Sequence, residues 1–345
     1  MPDGNPMAGP ESLVAEVLAG NRLALARLLT QVENDTPEGR QALDALFPHT
    51  GRAHLIGVTC APGTGKSSLV NQMALGFRRM DPPRKVAIVA VDPSSPFTGG
   101  AVLGDRVRMR DLAGDPGVFM RSMASRGSLG GLAQATAALA QVFDAAGFDL
   151  VLIETVGAGQ SEVDIARLAH TTIVVEAPGL GDDIQAIKAG ILEIADIIVV
   201  NKADRPGVEN TERALRIMLD LAHPVAKVFL HHGQAMVAAA PAGAPDGPLW
   251  IPALLRTVAI EGTGLPELLA AVGRHADFLR ETGDWARRDR ARMEAEFEGL
   301  VRQMLVTRFR RQLSEARYEQ TLDLIAGRQL SPWEAARRLL ETNQP

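Results

Sequence analysis

The chain has 345 residues, 46% of them hydrophobic, and a formal net charge of −5. That is enough apolar content for one large core or two smaller ones, and the acidic balance argues against a nucleic-acid footprint. The single cysteine, Cys60, rules out an intrachain disulfide or a cysteine-based metal cluster, and no apolar run approaches the ~20 residues that span a bilayer.

Residues 1–10, rich in Pro and Gly, are expected to be disordered. They lack the basic and apolar regions of a secretory leader, so a cytoplasmic location is the expectation. Residues 11–50 read as an N-terminal helical extension. Leu13, Val14, Val17 and Leu18 mark one apolar face, and Leu25, Leu28, Leu29 and Val32 mark the next, with Gly20 between. Thr36-Pro37 is a cap followed by proline at the first helical position, so a third helix runs to about Phe47.

Residues 51–280 alternate short Val/Ile-rich runs with helical stretches. His54–Thr59, Val86–Val91, Leu150–Ile153, Thr172–Val175, Ile197–Val200 and Leu254–Ala259 read as strands buried on both faces. The fold class is therefore α/β: a P-loop NTPase with a mostly parallel, doubly wound sheet and helical extensions at both ends. Cys60-Ala61-Pro62-Gly63-Thr64-Gly65-Lys66-Ser67 follows the first strand and precedes a helix from Ser68 to Arg79. That is the context of a phosphate-binding loop, although the pattern asks for glycine where Cys60 stands. Pro62 to Ser68 would bind the nucleotide, with the backbone N–H groups that follow Pro62 cradling phosphates, Lys66 reaching the terminal ones, and Ser67 holding Mg²⁺.

Each later motif closes a strand. Asp92, in Val91-Asp92-Pro93-Ser94-Ser95, either holds Mg²⁺ through water or caps a turn. The glycine-rich segment after it reads as a mobile loop, with Asp105 as a second carboxylate near the metal. Phe148 to Glu154 is an apolar strand ending in a carboxylate, the Walker-B place. Gly157 can present its N–H to a γ-phosphate, whereas Ala158 cannot orient water as the glutamine of many small GTPases does, so unassisted hydrolysis should be slow. Asn201-Lys202-Ala203-Asp204 is the guanine motif: Asp204 accepts from the base, and the Lys202 stem covers the purine face. His223 to Trp250 looks like a loop insertion, in which His231-His232 reads as surface rather than metal site. Ala259, after Val258, falls where GTPases place a Ser-Ala loop against the base, so its contact there would be mainly backbone.

Residues 281–345 form a helical C-terminal extension. Met293, Phe297, Leu300, Val301, Met304, Leu305 and Phe309 share one face, and Ser331-Pro332-Trp333-Glu334 is a capping box that opens a last helix. The apolar face must cover either its own domain or a second copy.

With these residues assembled, the chain resembles the MeaB/ArgK family of P-loop GTPases, which includes the human methylmalonic aciduria type A protein. Glu154 to Glu162, Leu103-Gly104-Asp105-Arg106, Ser128-Leu129-Gly130-Gly131 and Asn201 to Asp204 carry the resemblance. It implies a homodimeric GTPase that chaperones an adenosylcobalamin-dependent acyl-CoA mutase, gates cofactor loading from an adenosyltransferase, and protects or reactivates the mutase. GTP or GDP and Mg²⁺ would be its ligands, and adenosylcobalamin would be met only through the mutase; no nucleic-acid or membrane partner is implied. Catalytic roles then fall to Lys66, Asp105, Glu154, Gly157 and Lys188. The metal set is Ser67, Asp92, Asp105 and Glu154, and an additional switch maps onto Asp182, Gln185 and Lys188. Spacing alone would also allow those three switch residues to be a solvated helix face. A second function kept open is a nickel-type metallochaperone GTPase, against which the lack of a Cys/His cluster counts.

Overall fold

In this computed structural model the described residues are 10–59, 62–93, 112, 114–125, 131–155, 160–179, 194–222, 228–231, 234–237 and 248–341. Three helices precede the first strand: α1 (Pro10–Leu18), α2 (Arg22–Glu33) and α3 (Pro37–Leu46). The starts of α2 and α3 are fixed by side-chain caps. Asn21 accepts from the N–H groups of Leu23 and Ala24, and Thr36 accepts from Gly39 at 3.0 Å with Pro37 at the first helical position. Of the apolar residues anticipated from periodicity, Leu13, Val14, Val17, Leu25, Leu28, Leu29 and Val32 are buried, whereas Leu18, in the last turn of α1, is exposed. The buried ones share a core with α5 (Gly131–Ala145) and one face of the sheet.

Seven parallel strands form that sheet, in the order β3-β2-β4-β1-β5-β6-β9. They are β1 (His54–Thr59), β2 (Val86–Pro93), β3 (Val118–Ser125), β4 (Leu150–Thr155), β5 (Thr171–Glu176), β6 (Ile197–Val200) and β9 (Ala253–Arg256). The two-residue period sorts their side chains. Leu55, Val89, Val151 and Ile153 face α2, α5 and α6 (Gln160–Leu168). Ile56, Val58, Ile88, Leu152, Ile173 and Val199 face α4 (Lys66–Arg78) and α8 (Leu265–Thr282). A third cluster joins Val174, Ile198 and Val200 to α7 (Val208–Ala222). Gly57, in the centre of β1, is required by close packing: a Cβ there would meet Ile165 of α6 at 2.3 Å.

The structure corrects the sequence reading in three places. β3 was not anticipated. Its residues Val118-Phe119-Met120-Arg121-Ser122-Met123 are less Val/Ile-rich than a central strand, and as the edge strand it tolerates Arg121, which pairs with Glu33 of α2. The stretch read as a loop insertion contains an antiparallel hairpin, β7 (Val228–His231) and β8 (Gln234–Val237). The run Leu254–Ala259 is not one strand: β9 ends at Arg256, and Val258 turns back to bridge Thr263.

The chain divides into two compact units at Arg292/Met293. The helix α9 (Asp284–Gln312) begins in the first and continues into the second. The second unit adds α10 (Glu315–Ala326) and α11 (Pro332–Glu341). Its turn follows the expected capping box, Ser331 accepting from the Glu334 N–H at 3.2 Å, and Ala335 is buried. Met293, Phe297, Met304, Leu305 and Val306 of α9 are exposed, Phe297 to 67%.

Candidate functional site

All seven strands are parallel, so their carboxyl ends share one edge of the sheet. β1 lies between β4 and β5, and the strand that ends in Asn201 is one further along. The phosphate loop, the Walker-B carboxylate and the guanine motif therefore emerge side by side.

The loop after β1 enters α4 through Gly65, whose φ of +93° belongs to the left-handed region. A side chain at this position would also meet the Asn201 amide nitrogen at 2.6 Å. Pro62 and Gly63 are exposed, Thr64 is fully buried, and Lys66 is buried at the first position of α4. Ser67 and Ser68, half-buried, complete the first turn. The loop leads into the start of α4, and a helix start favours an anion.

Register sets Glu154 of β4 opposite Val58 of β1. From there the Ser67 hydroxyl donates to Glu154 Oε1 at 2.5 Å. Beneath them the buried Thr155 hydroxyl meets that of Thr59 at 3.3 Å. A hydroxyl and a carboxylate fixed beside a phosphate loop are hard oxygen donors, and this donor set fits Mg²⁺.

Asn201 is the brace of the site. Its amide donates to the Thr64 carbonyl at 2.8 Å. Its carbonyl oxygen accepts from the Thr257 hydroxyl at 3.1 Å and the Ala259 N–H at 3.0 Å. One buried side chain thus ties the phosphate loop to the turn after β9. Lys202, at a positive φ of 56°, donates to the Gly63 carbonyl at 2.5 Å, so its stem lies along the phosphate loop. Asp204 is exposed, its carboxylate accessible to a base. Ala259 acts through Asn201 in this arrangement, since its N–H is donated there.

The structure thus brings together Pro62 to Ser68, Glu154, Asn201, Lys202 and Ala259, with Asp204 beside them. The backbone of Asp92 lies at the end of β2 opposite Ala124, within the same edge of the sheet. Asp105, Gly157, Asp182, Gln185 and Lys188 lie outside the described residues, as does the side chain of Asp92. Thr257 was missed by sequence reasoning. Its signal was a hydroxyl residue directly before the Val258-Ala259 pair, overlooked because the run was read as strand.

A phosphate loop braced to a guanine-specific loop at the carboxyl edge of a parallel sheet defines a guanine-nucleotide P-loop hydrolase. The chain belongs to the MeaB family: the family described as "Methylmalonyl Co-A mutase-associated GTPase MeaB" matches residues 25–314. The GTPase ArgK of Escherichia coli is 35% identical over 330 residues, covering 93% of each chain. The mitochondrial methylmalonic aciduria type A homolog of Caenorhabditis elegans is 30% identical over 299 residues, 82% of this chain and 70% of that one. Among solved structures, one described as a LAO/AO transport system kinase superposes with a TM-score of 0.69 at 28% identity, over 99% of this chain and 100% of that one. This chain is a GTPase, converting GTP and water to GDP and phosphate.

Proposed function

We propose that the protein is a GTP-hydrolysing chaperone of an adenosylcobalamin-dependent acyl-CoA mutase, acting in the cytoplasm. It would gate cofactor loading from an adenosyltransferase and protect or reactivate the mutase. The observation that carries this reading is the match over residues 25–314 to a family described by its association with methylmalonyl-CoA mutase. The relative in the methylmalonic aciduria group supports it.

In this reading the amide N–H groups of residues 63–68 and Lys66 hold the phosphates, and Glu154 with Ser67 would hold Mg²⁺, which supplies charge neutralisation at the phosphates when bound. Asp204 reads guanine, and Asn201 keeps that reader in register with the phosphate loop. Ala158 offers no group to orient water, so basal turnover is slow. Asp105, Gly157 and Lys188 are assigned to catalysis, and Asp92 and Asp105 to the metal's surroundings. Asp182, Gln185 and Lys188 form the switch that the mutase orders. A partner accelerates hydrolysis only by binding the competent arrangement more tightly than the open one. The exposed face of α9 serves a homodimer.

The test is single-turnover GTP hydrolysis with and without each cobalamin-dependent mutase of the same organism. One mutase should raise the rate, and Lys188→Ala or Asp182→Ala should blunt that rise far more than basal hydrolysis. If no mutase changes the rate or binds the GTP state, the chaperone role fails and the GTPase remains.

A further inference from the structure

At the amino edge of the sheet, opposite the nucleotide site, lies a second cluster of titratable groups that hydrolysis does not use. His54 opens β1, His170 precedes β5, Asp196 precedes β6, and His275 comes from α8. All four are buried. His54 is the first of the six residues of β1, so five residue steps lead from it to the phosphate-loop end of the strand, roughly 17 Å at ~3.3 Å per residue.

Two chains of hydrogen bonds run through the cluster. In the first, His170 Nδ1 accepts from the Leu55 backbone N–H at 3.0 Å, so the proton of the ring sits on Nε2. Nε2 donates to Asp289 of α9 at 2.7 Å. The ring also stacks on Trp285 of α9, with centroids 4.0 Å apart and planes at 18°. In the second, His54 Nε2 lies 2.7 Å from the Thr171 hydroxyl, which lies 2.9 Å from His275 Nδ1. That chain ends there: the other nitrogen of His275 lies 3.3 Å from Asp196 Oδ1, a contact outside hydrogen-bond geometry. Asp196 accepts both guanidinium nitrogens of Arg288 at 2.8 Å, and Arg288 donates to the His170 carbonyl at 2.7 Å. The first two turns of α9 are thus held by Trp285, Arg288 and Asp289 against three histidines.

We propose that His54 and His170 form a proton-sensitive latch on the first two turns of α9, closed when both imidazoles are neutral and released when they are protonated. Geometry gives the direction. Protonating His170 at Nδ1 forfeits the Leu55 hydrogen bond and leaves that N–H buried without an acceptor. The charged neighbours on the packed elements are Asp196 before β6, Arg280 on α8, and Arg288, Asp289 and Arg292 on α9. Arg280 sits 4.6 Å over the Trp285 ring, and Arg292 pairs with Asp289 at 2.7 Å. Arg280 is itself paired with Asp277 of α8 at 3.4 Å, so three cations meet three carboxylates and the cluster is already charge-balanced before any imidazole gains a proton. Burial, foremost, pushes both His54 and His170 below their ordinary value; the neighbouring imidazoles and then Arg280 add to it at His54 against Asp196, and at His170 burial with Arg292 and Arg288 outweighs the pull of Asp289.

The experiment is hydrogen exchange, read by mass spectrometry, on the full chain saturated with GDP, at pH 7.5 and about pH 5.5 and corrected for intrinsic exchange. Protection of residues 284–292 should fall with acid by up to about tenfold per pH unit for each proton taken up, while β1 and β4 stay protected. His170→Asn keeps an acceptor for the Leu55 N–H and cannot titrate, so it should lose a large part of that pH dependence. Unchanged protection of 284–292, loss in step with the central strands, or a His170→Asn response equal to wild type would each overturn the proposal. If the variant does not fold, the wild-type exchange decides.

Discussion

At the scale of single residues, guanine selectivity and loop geometry depend on different side chains. Asp204 is exposed, and in the proposed reading its carboxylate contacts the base, so Asp204→Ala should weaken GDP by about 1–3 kcal/mol and leave the melting temperature of the free protein unchanged. Thr257 is buried and acts through Asn201. Thr257→Val removes one of two donors to the Asn201 carbonyl and should weaken both GDP and GTP by about 1 kcal/mol without changing their ratio. Titration of labelled GDP, GTP and ATP separates the two. ATP binding as tight as GTP binding to the wild type would sink the guanine assignment.

At the scale of elements, α6 lies directly on β1 because Gly57 has no side chain. Gly57→Ala sets a methyl against Ile165 Cγ2 and should cost about 1–3 kcal/mol, the usual range for overpacking. Ile165→Ala removes the opposing methyl, and since Ile165 is itself buried this change alone should cost ~2–5 kcal/mol. If the contact is the cause, the double variant should be less destabilised than the sum of the two, by urea unfolding. Additive losses would show that Gly57 serves the strand backbone and not the helix contact.

At the scale of the whole molecule, two consequences concern pH and assembly. His54 and His170 bind protons more weakly in the native chain than in the unfolded one. Below roughly pH 6.5 the unfolded chain gains protons that the native chain refuses, so stability is full above that pH and falls as acid is added. Asp196 adds a second window. Burial would raise its carboxyl, but His275 and Arg288 outweigh burial and hold it at about 2. Its contribution, about 2 kcal/mol, is present above pH ~4 and is lost as pH falls toward 2. Thermal melts from pH 8 to 3 should show both declines, and His170→Asn should reduce the first alone. The proposed homodimer would use α9, whose Phe297, Met304 and Leu305 are all at least 60% exposed. Exposed side chains of that size at helical spacing mark an interaction face. Light scattering at micromolar concentration should give a dimer for the full chain, and Met304→Glu with Leu305→Glu should give a monomer that still binds GDP.

What the sequence determined by itself was local. The phosphate loop, the carboxylate-ended strand and Asn201 to Asp204 are contiguous, and each follows a Val/Ile run that is buried on both faces, so strand, motif and the shared carboxyl edge could be derived together. Caps at Thr36 and Ser331 were legible for the same reason, since donor and acceptor lie three residues apart. Tertiary structure decided what pairing across the chain decides. β3 forms because β2 offers it an edge, not because Arg121 and Ser122 favour a strand. Thr257 joins the site through a bond to a residue 56 positions away. The histidines at the amino edge were invisible as a group: His54, His170 and His275 are separated by more than a hundred residues each, and only the parallel register of β1 and β5, with α8 and α9 laid across their starts, brings them together.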